Sequence, residues 1–231
     1  MLEQFLHRPS KEFIITQYFG EDKACIALDT TKVPRFVYKE TAAVCPVGYK
    51  SVYSQMKGHN GMDFHFVLWQ PIYALHDGIV EEVETEVDRG LGVGIVTDKQ
   101  YFCTESGGKE YFKTRYWHMI ALNVYKGERV TTGTLLGWAD STGFSTGDHL
   151  HLELKPIQVF KDSAGKIVSI RNVLQNNGYF GAIDPLPYIS DRYVLEIRDI
   201  VTGIKAIAEK LAQLSDTISD WLRYKKSLKD S

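Results

Sequence analysis

Short apolar runs separated by turn residues dominate the chain up to about residue 190. Residues 78–83 and 93–97, for example, are rich in Val and Ile, which fit the pleated, half-buried surface of a strand. Glycine residues separate such runs at short intervals through the middle of the chain. Many short strands bounded by turns are typical of an antiparallel sandwich or barrel. The pattern therefore predicts a mainly β domain over residues 1–190.

A helical period replaces this pattern near residue 200. Apolar residues then follow one another at alternating steps of four and three, at Ile200, Ile204, Ile207, Leu211, Leu214, Ile218 and Trp221. This heptad spacing predicts a C-terminal amphipathic helix within residues 191–231. Two interpretations stay open. Residues 200–221 either form a short coiled coil for self-association or for a partner, or they pack back on their own domain.

Residues 21–57 form a long segment without a clear period, interrupted by Pro34 and Pro46. A long irregular excursion in a compact domain is often functional. The segment is interpreted either as one wall of a binding groove or as a packed surface loop. Whether it occludes such a groove is left open.

The composition excludes several classes of protein. The 231 residues include 27 Lys and Arg against 29 Asp and Glu, a formal charge of −2, so there is no basic excess to bind nucleic acid. No window approaches the run of about 18 apolar residues that spans a membrane. The first residues also lack the basic start and apolar run of a secretory signal.

The cysteines give a weaker indication of the kind of site and of the compartment in which the protein works. Cys25, Cys45 and Cys103 form no C-x-x-C pair, which disfavours a zinc knuckle or a thioredoxin-like site. Reduced thiols are the simplest expectation for an odd number of cysteines without a leader. A Cys25–Cys45 bridge is the alternative if the protein works outside the cell.

The candidate chemistry begins with a strand-like segment at residues 148–154. Leucines alternate there with polar residues, and residues two apart in a strand share a face. One face carries the leucines, and the other carries His149, His151 and Glu153. Two imidazoles on one strand face suit a zinc site, or a metal ligand beside a general base.

A second cluster lies earlier in the chain, where His59 precedes Asp63 by four residues and Gly61 permits a turn between them. Imidazole nitrogen and carboxylate oxygen are both good zinc ligands. His59, Asp63 and one of the paired histidines would give three protein ligands. Such a set leaves the fourth position for water, as in catalytic zinc sites.

These segments, in this order, resemble the lysostaphin/LytM-type zinc endopeptidases, which cleave peptidoglycan peptides. The His-x-x-x-Asp motif lies at residues 59–63, the Tyr-x-His segment at 116–119 and the His-x-His motif at 149–151. The connecting segments 14–20, 71–80, 126–130 and 137–147 and the pair Asp184-Pro185 resemble the family as well. The resemblance covers about residues 12–190.

The resemblance implies a fold and a set of roles. The fold is an antiparallel β-sandwich or open barrel, a duplicated hybrid motif with an open groove. His59, Asp63 and His151 would bind Zn²⁺, and His118 and His149 would be the catalytic histidines, with their separate roles unassigned. Tyr116 is a further residue expected to point at the site and to bind substrate.

The implied activity is hydrolysis of an amide bond in peptidoglycan cross-links or stem peptides, with bacterial peptidoglycan as the partner. Both glycyl-glycine and D-alanyl-diaminopimelate bonds suit the family. The alternative is a non-enzymatic scaffold or a virion structural module of the same fold, although the five filled site positions argue against it. The missing leader and the heptad segment suggest a phage lysin or virion-associated hydrolase that acts at the cell wall.

Overall fold

A computed structural model describes residues 2–39, 44–87, 89–143, 145 and 147–195. Strands make up nearly all of the regular structure in these ranges, together with one 3₁₀ turn at Leu186–Tyr188. The strands are β1 (Leu6–Arg8), β2 (Ile15–Gln17), β3 (Ala24–Ala27), β4 (Phe36–Tyr38), β5 (Tyr49–Ser51), β6 (Met62–His65), β7 (Pro71–Tyr73), β8 (Gly78–Glu86), β9 (Gly90–Thr97), β10 (Tyr101–Cys103), β11 (Gly108–Leu122), β12 (Arg129–Val130), β13 (Leu135–Ala139), β14 (His149–Lys161), β15 (Ile167–Asn172) and β16 (Ile189–Tyr193).

Most of these strands belong to one large open sheet. Its main path runs β12-β8-β9-β11-β14-β6-β2, and β7, β10, β13 and β15 pair beside it. Neighbouring strands in it are antiparallel, including the long pair β11 and β14 at its centre. The prediction of a mainly β, antiparallel architecture is therefore confirmed, and the sheet is not closed into a barrel.

The two faces of this sheet differ in character because side chains alternate along each strand. Tyr116 lies opposite Leu152, and Trp117 lies opposite His151. Tyr116 and Leu152 are fully buried in an apolar core that also holds Met62, Phe64, Phe112, Leu150 and Leu154. Each such side chain stabilises the fold by about 1.5–3 kcal/mol. The other face carries the polar row that contains His151.

Residues 21–57 are more regular than their sequence indicates. Strands β3, β4 and β5 form a separate three-stranded antiparallel sheet in the order β4-β3-β5. A disulfide joins Cys25 to Cys45, so the expectation of reduced thiols is wrong for this pair. Cys103 is free and buried. The strands have only three or four residues each, too few for alternation to be visible in the sequence.

The chain divides into two compact units, Met1–Val194 and Leu195–Ser231. In the first, β16 pairs in parallel with β1, so regular pairing continues slightly past the predicted boundary at residue 190. The predicted C-terminal helix and its heptad positions at 200–221 lie outside the described residues. In the part of the chain that is described, no helix is long and apolar enough to cross a membrane.

Candidate metal centre

Three buried side chains bring one donor atom each to a common point. Asp63 in β6 lies directly opposite His151 in β14, so the two side chains share a face of the sheet. His151 Nδ1 is 2.9 Å from Asp63 Oδ1 and 2.9 Å from His59 Nε2. His59 Nε2 is in turn 3.2 Å from Asp63 Oδ1. The structure thus brings together the three residues that were predicted as ligands.

Gly61 makes this approach possible. A Cβ atom at this position would lie 2.5 Å from the Leu152 carbonyl oxygen and 2.7 Å from His151 Nε2, closer than packed atoms come. Only glycine leaves room for the imidazole of His151 against the turn that carries His59. The glycine between His59 and Asp63 is therefore needed for a close approach as well as for a turn.

The donor set fits zinc in type, number and spacing. Two imidazole nitrogens and one carboxylate oxygen are preferred zinc ligands, and bonds of about 2.0–2.2 Å place tetrahedral ligands about 3.3–3.6 Å apart. The observed separations are slightly shorter than this range. His59 Nδ1 lies 3.2 Å from the Tyr18 carbonyl oxygen, to which it donates, so the Nε2 lone pair is directed at the centre. Such an outer hydrogen bond is the usual support of a ligating histidine.

Electrostatics keep the carboxylate of Asp63 charged at neutral pH. Burial alone would raise the pKa of Asp63, but His59 and His151 outweigh burial and hold it well below its usual range. Burial lowers the pKa of His151, whereas the carboxylates of Asp63 and Glu153 raise it to about 9. A charged carboxylate between two imidazoles favours any cation that replaces their protons.

His118 approaches the centre from a distorted part of β11. The register between β11 and β9 shifts between Tyr116 and Met119, and His118 has a φ of +62°, uncommon for a residue other than glycine. Its Nδ1 donates to the Thr142 carbonyl oxygen at 2.6 Å, which leaves Nε2 as an acceptor. Burial, reinforced by the neighbouring His149, lowers the pKa of His118 to about 3. The ring is therefore neutral at neutral pH.

His149 completes the group at the start of β14. Its ring centroid is 4.5 Å from that of His118, and its Nε2 is 3.6 Å from Asp63 Oδ1. Its Nδ1 donates to the Gly147 carbonyl oxygen at 2.8 Å. Both predicted catalytic histidines thus lie beside the centre, each with its Nδ1 bound to a backbone carbonyl oxygen.

The centre opens into a cavity of about 500 Å³. His59, Asp63, His118, His149 and His151 line one part of it. The small sheet β3–β5 lines another through Ala24, Ile26, Phe36, Tyr38 and Lys50. Of the two interpretations of residues 21–57, the structure supports the groove wall.

Tyr116 is the one predicted site residue that faces away from the centre. It precedes Trp117, which lies opposite His151, so alternation turns Tyr116 to the apolar face. Its ring is fully buried, and its hydroxyl accepts a hydrogen bond from the Leu75 backbone N–H at 3.1 Å. The expectation that Tyr116 points at the site is corrected: it packs in the core and does not line the cavity.

A buried charged cluster behind His151 escaped prediction from the sequence. Glu153 is fully buried and lies near Arg89, Arg115 and Lys155. Alternation in residues 148–154 places Glu153 on the face of the histidines. Lys155 follows two residues later in β14, but Arg115 lies in β11 and Arg89 between β8 and β9, and only the sheet register brings these two to Glu153.

Comparison with known proteins agrees with this geometry. Residues 57–163 match the model of peptidase family M23, and this stretch contains the three donor residues and both further histidines. The chain is 33% identical over 132 residues to the glycyl-glycine endopeptidase ALE-1 of Staphylococcus capitis, covering 52% of this chain and 34% of ALE-1. It is 33% identical over 107 residues to the peptidoglycan DD-endopeptidase ShyA of Vibrio cholerae, covering 45% of this chain and 22% of ShyA.

Among solved structures, the catalytic domain of lysostaphin from Staphylococcus simulans is 25% identical, with a TM-score of 0.41, covering 57% of this chain and 79% of that domain.

The β-sheet fold and the donor set of two histidines and one aspartate together define a metallopeptidase domain. This chain carries a peptidase family M23 domain, homologous to those of lysostaphin and ALE-1. M23 metallopeptidases depend on zinc, and the centre of His59, Asp63 and His151 fits that ion. The chain spans about a third of ALE-1 and less than a quarter of ShyA.

Proposed function

We propose that this protein is a zinc-dependent endopeptidase that hydrolyses an amide bond in the peptides of bacterial peptidoglycan. The observation that carries the proposal is the convergence of His59, Asp63 and His151 at the floor of an open cavity, with two further histidines beside them. Relatives named as glycyl-glycine and DD-endopeptidases support the substrate class.

The role of each side chain follows from the atom that it presents to the centre. His59, Asp63 and His151 would hold Zn²⁺, which when bound would supply Lewis-acid chemistry toward the scissile carbonyl and toward water. His149, whose Nε2 is 3.6 Å from Asp63 Oδ1, accepts the proton of the attacking water and returns it to the leaving amine. His118, held neutral by burial, accepts a hydrogen bond from the same water and orients it.

Analysis of fragments released from purified peptidoglycan tests the activity. The parent protein and the variant His151→Ala are incubated with walls of the glycine-bridged and of the diaminopimelate type, and soluble products are identified by mass spectrometry. We expect new peptide termini with the parent and none with the variant. The termini also identify the scissile bond.

Zinc analysis of the same preparations separates this proposal from its alternative. The parent is expected to purify with about one zinc ion, which His151→Ala loses. A folded parent that holds no zinc and releases no peptide from either wall type would contradict the proposal. That result would support a non-enzymatic scaffold of the same fold.

The site of action and the biological context are separate proposals. We place the activity at the bacterial cell wall, because that is where the proposed substrate lies. Phage origin, and self-association or virion attachment through residues 200–221, stay predictions. Genes for virion proteins next to the coding sequence would support phage origin, and their absence would weaken it.

A further inference from the structure

Glu153 lies directly behind the candidate metal centre. It follows His151 by two residues in β14, on the same face of the sheet, and is fully buried. Its Oε1 is 3.7 Å from His151 Nε2 and accepts a hydrogen bond from Asn60 Nδ2 at 2.8 Å. Oε1 thus faces the ring of one predicted ligand, His151. It is also held by Asn60, which follows the second predicted ligand, His59.

The second carboxylate oxygen of Glu153 faces a different set of groups. Lys155 Nζ lies 3.1 Å from Oε2, and Arg115 Nη1 lies 3.5 Å from it. A buried carboxylate is tolerated only when it is paired and hydrogen-bonded, and these cations satisfy that condition. Oε2 therefore takes the two closest cations, while Oε1 faces Asn60 and His151, with Arg89 Nε also 3.7 Å from it.

The sheet supplies the space for this arrangement. Arg115 lies opposite both Glu153 and Gly94, and Gly94 lies opposite Glu82. A Cβ atom at Gly94 would come within 2.9 Å of the Glu82 side chain, so the glycine leaves room for the ion pair between Arg115 and Glu82. This row of residues fixes Arg115, and with it the position of Glu153.

The two nitrogens of His151 have distinct surroundings. Nδ1 faces Asp63 and His59, and Nε2 faces Glu153. A neutral imidazole ligates through the nitrogen that lacks a proton, so its hydrogen must sit on the other nitrogen, where a carboxylate stabilises it. We propose that Glu153, held by Asn60, is a positioning residue that keeps the His151 Nε2–H outward and the Nδ1 lone pair directed at zinc. The inference rests on the zinc site of the proposed function.

Zinc affinity, measured by competition with a chromophoric chelator, tests this role without any substrate. Removal of such an outer partner typically weakens metal binding about 10–100-fold. We expect a loss in this range for Glu153→Gln, and a smaller loss for Asn60→Ala. Lys155→Met is the matched control, because it breaks the buried ion pair at Oε2 and leaves Oε1 in place. Its zinc affinity should stay within about threefold of the parent.

Two further measurements separate positioning from general stability. Thermal unfolding of the metal-free proteins should show comparable losses for Glu153→Gln and Lys155→Met, although only the former loses zinc affinity. In the zinc-loaded parent, ¹⁵N NMR of the histidine side chains should show His151 protonated at Nε2 and metal-bound at Nδ1. Metal binding through His151 Nε2 would overturn the proposal.

The outcomes also separate this inference from the proposed function. If the parent binds zinc and Glu153→Gln binds it equally well, the positioning role is wrong and the zinc site stands. If the parent binds no zinc, the zinc site itself is wrong. If Glu153→Gln fails to fold, the zinc affinity of Asn60→Ala tests the proposal. A parental zinc affinity in Asn60→Ala would overturn the positioning role of Glu153 and Asn60.

Discussion

At the scale of single residues, the candidate centre depends on a glycine, which leaves room for a ligand. Gly61 packs against the His151 ring and the Leu152 carbonyl oxygen, at 2.7 Å and 2.5 Å from the place of a Cβ atom. The variant Gly61→Ala should therefore displace His151, weaken zinc binding at least tenfold and lower the free energy of unfolding by about 1–3 kcal/mol. Gly108→Ala, where a Cβ atom would meet only contacts at 3.8 Å, is the control. Equal zinc affinity in the two variants would contradict this account of Gly61.

A second residue-scale prediction concerns His76, a buried histidine outside the site. Its Nδ1 donates to the Asp77 carbonyl oxygen at 2.9 Å, and its Nε2 accepts from the Thr114 hydroxyl at 2.8 Å. This arrangement requires the neutral ring, and burial lowers the pKa of His76 from 6.5 to about 4. Between these values the unfolded chain binds the proton and the folded chain does not, so stability falls as the pH falls.

The expected loss from His76 is about 3 kcal/mol between pH 7 and pH 4, since each pKa unit corresponds to about 1.4 kcal/mol. Urea unfolding of the metal-free chain across this range measures it. In His76→Gln, which cannot titrate, the free energy of unfolding should fall less steeply with acid. Parallel pH profiles for parent and variant would show that His76 is not the source.

At the scale of elements, the disulfide-linked sheet β3–β5 is expected to act on substrate binding and not on zinc. It lines the cavity through residues such as Ile26 and Phe36, and Cys25 and Cys45 are 20 residues apart. Replacing both cysteines by serine should cost about 3 kcal/mol of stability, the value for a loop of this length. It should also raise KM for the peptide severalfold while zinc content stays at the parental level.

Kinetics on a soluble cross-link peptide, with zinc analysis in parallel, check this prediction. Cys103→Ser controls for the loss of a cysteine, since Cys103 is buried and unpaired. An unchanged KM in the double variant would mean that the sheet does not shape the substrate site. Loss of zinc would mean that it supports the metal centre.

The elements also show where prediction from sequence succeeds and where it stops. Alternation in residues 148–154 correctly predicts which side chains of β14 share a face, because the strand period is local. The prediction that Tyr116 points at the site is wrong. The bulge between Tyr116 and Met119 turns His118 to the centre and leaves Tyr116 on the apolar face. Such a bulge depends on pairing with β9, which no local pattern records.

At the scale of the whole molecule, the surroundings of the site arise from long-range register. Glu82, Arg115 and Glu153 come from three strands separated by more than 30 residues in sequence, and the sheet places them in one buried row. Ligand types and spacing could be predicted from the chain because His-x-x-x-Asp and His-x-His are local motifs. The charged support could not, because it exists only once β8, β9, β11 and β14 are aligned.

The last prediction concerns the division of the chain. Residues Met1–Val194 form a compact unit, which includes the pairing of β16 with β1 and all residues of the candidate centre. A chain ending at residue 195 should therefore keep zinc stoichiometry, and its rate of peptide cleavage should stay within about threefold of the parent. If residues 200–221 mediate association, sedimentation should show a smaller particle for this variant. Loss of zinc or of peptide cleavage on truncation would show that the centre depends on residues beyond the compact unit.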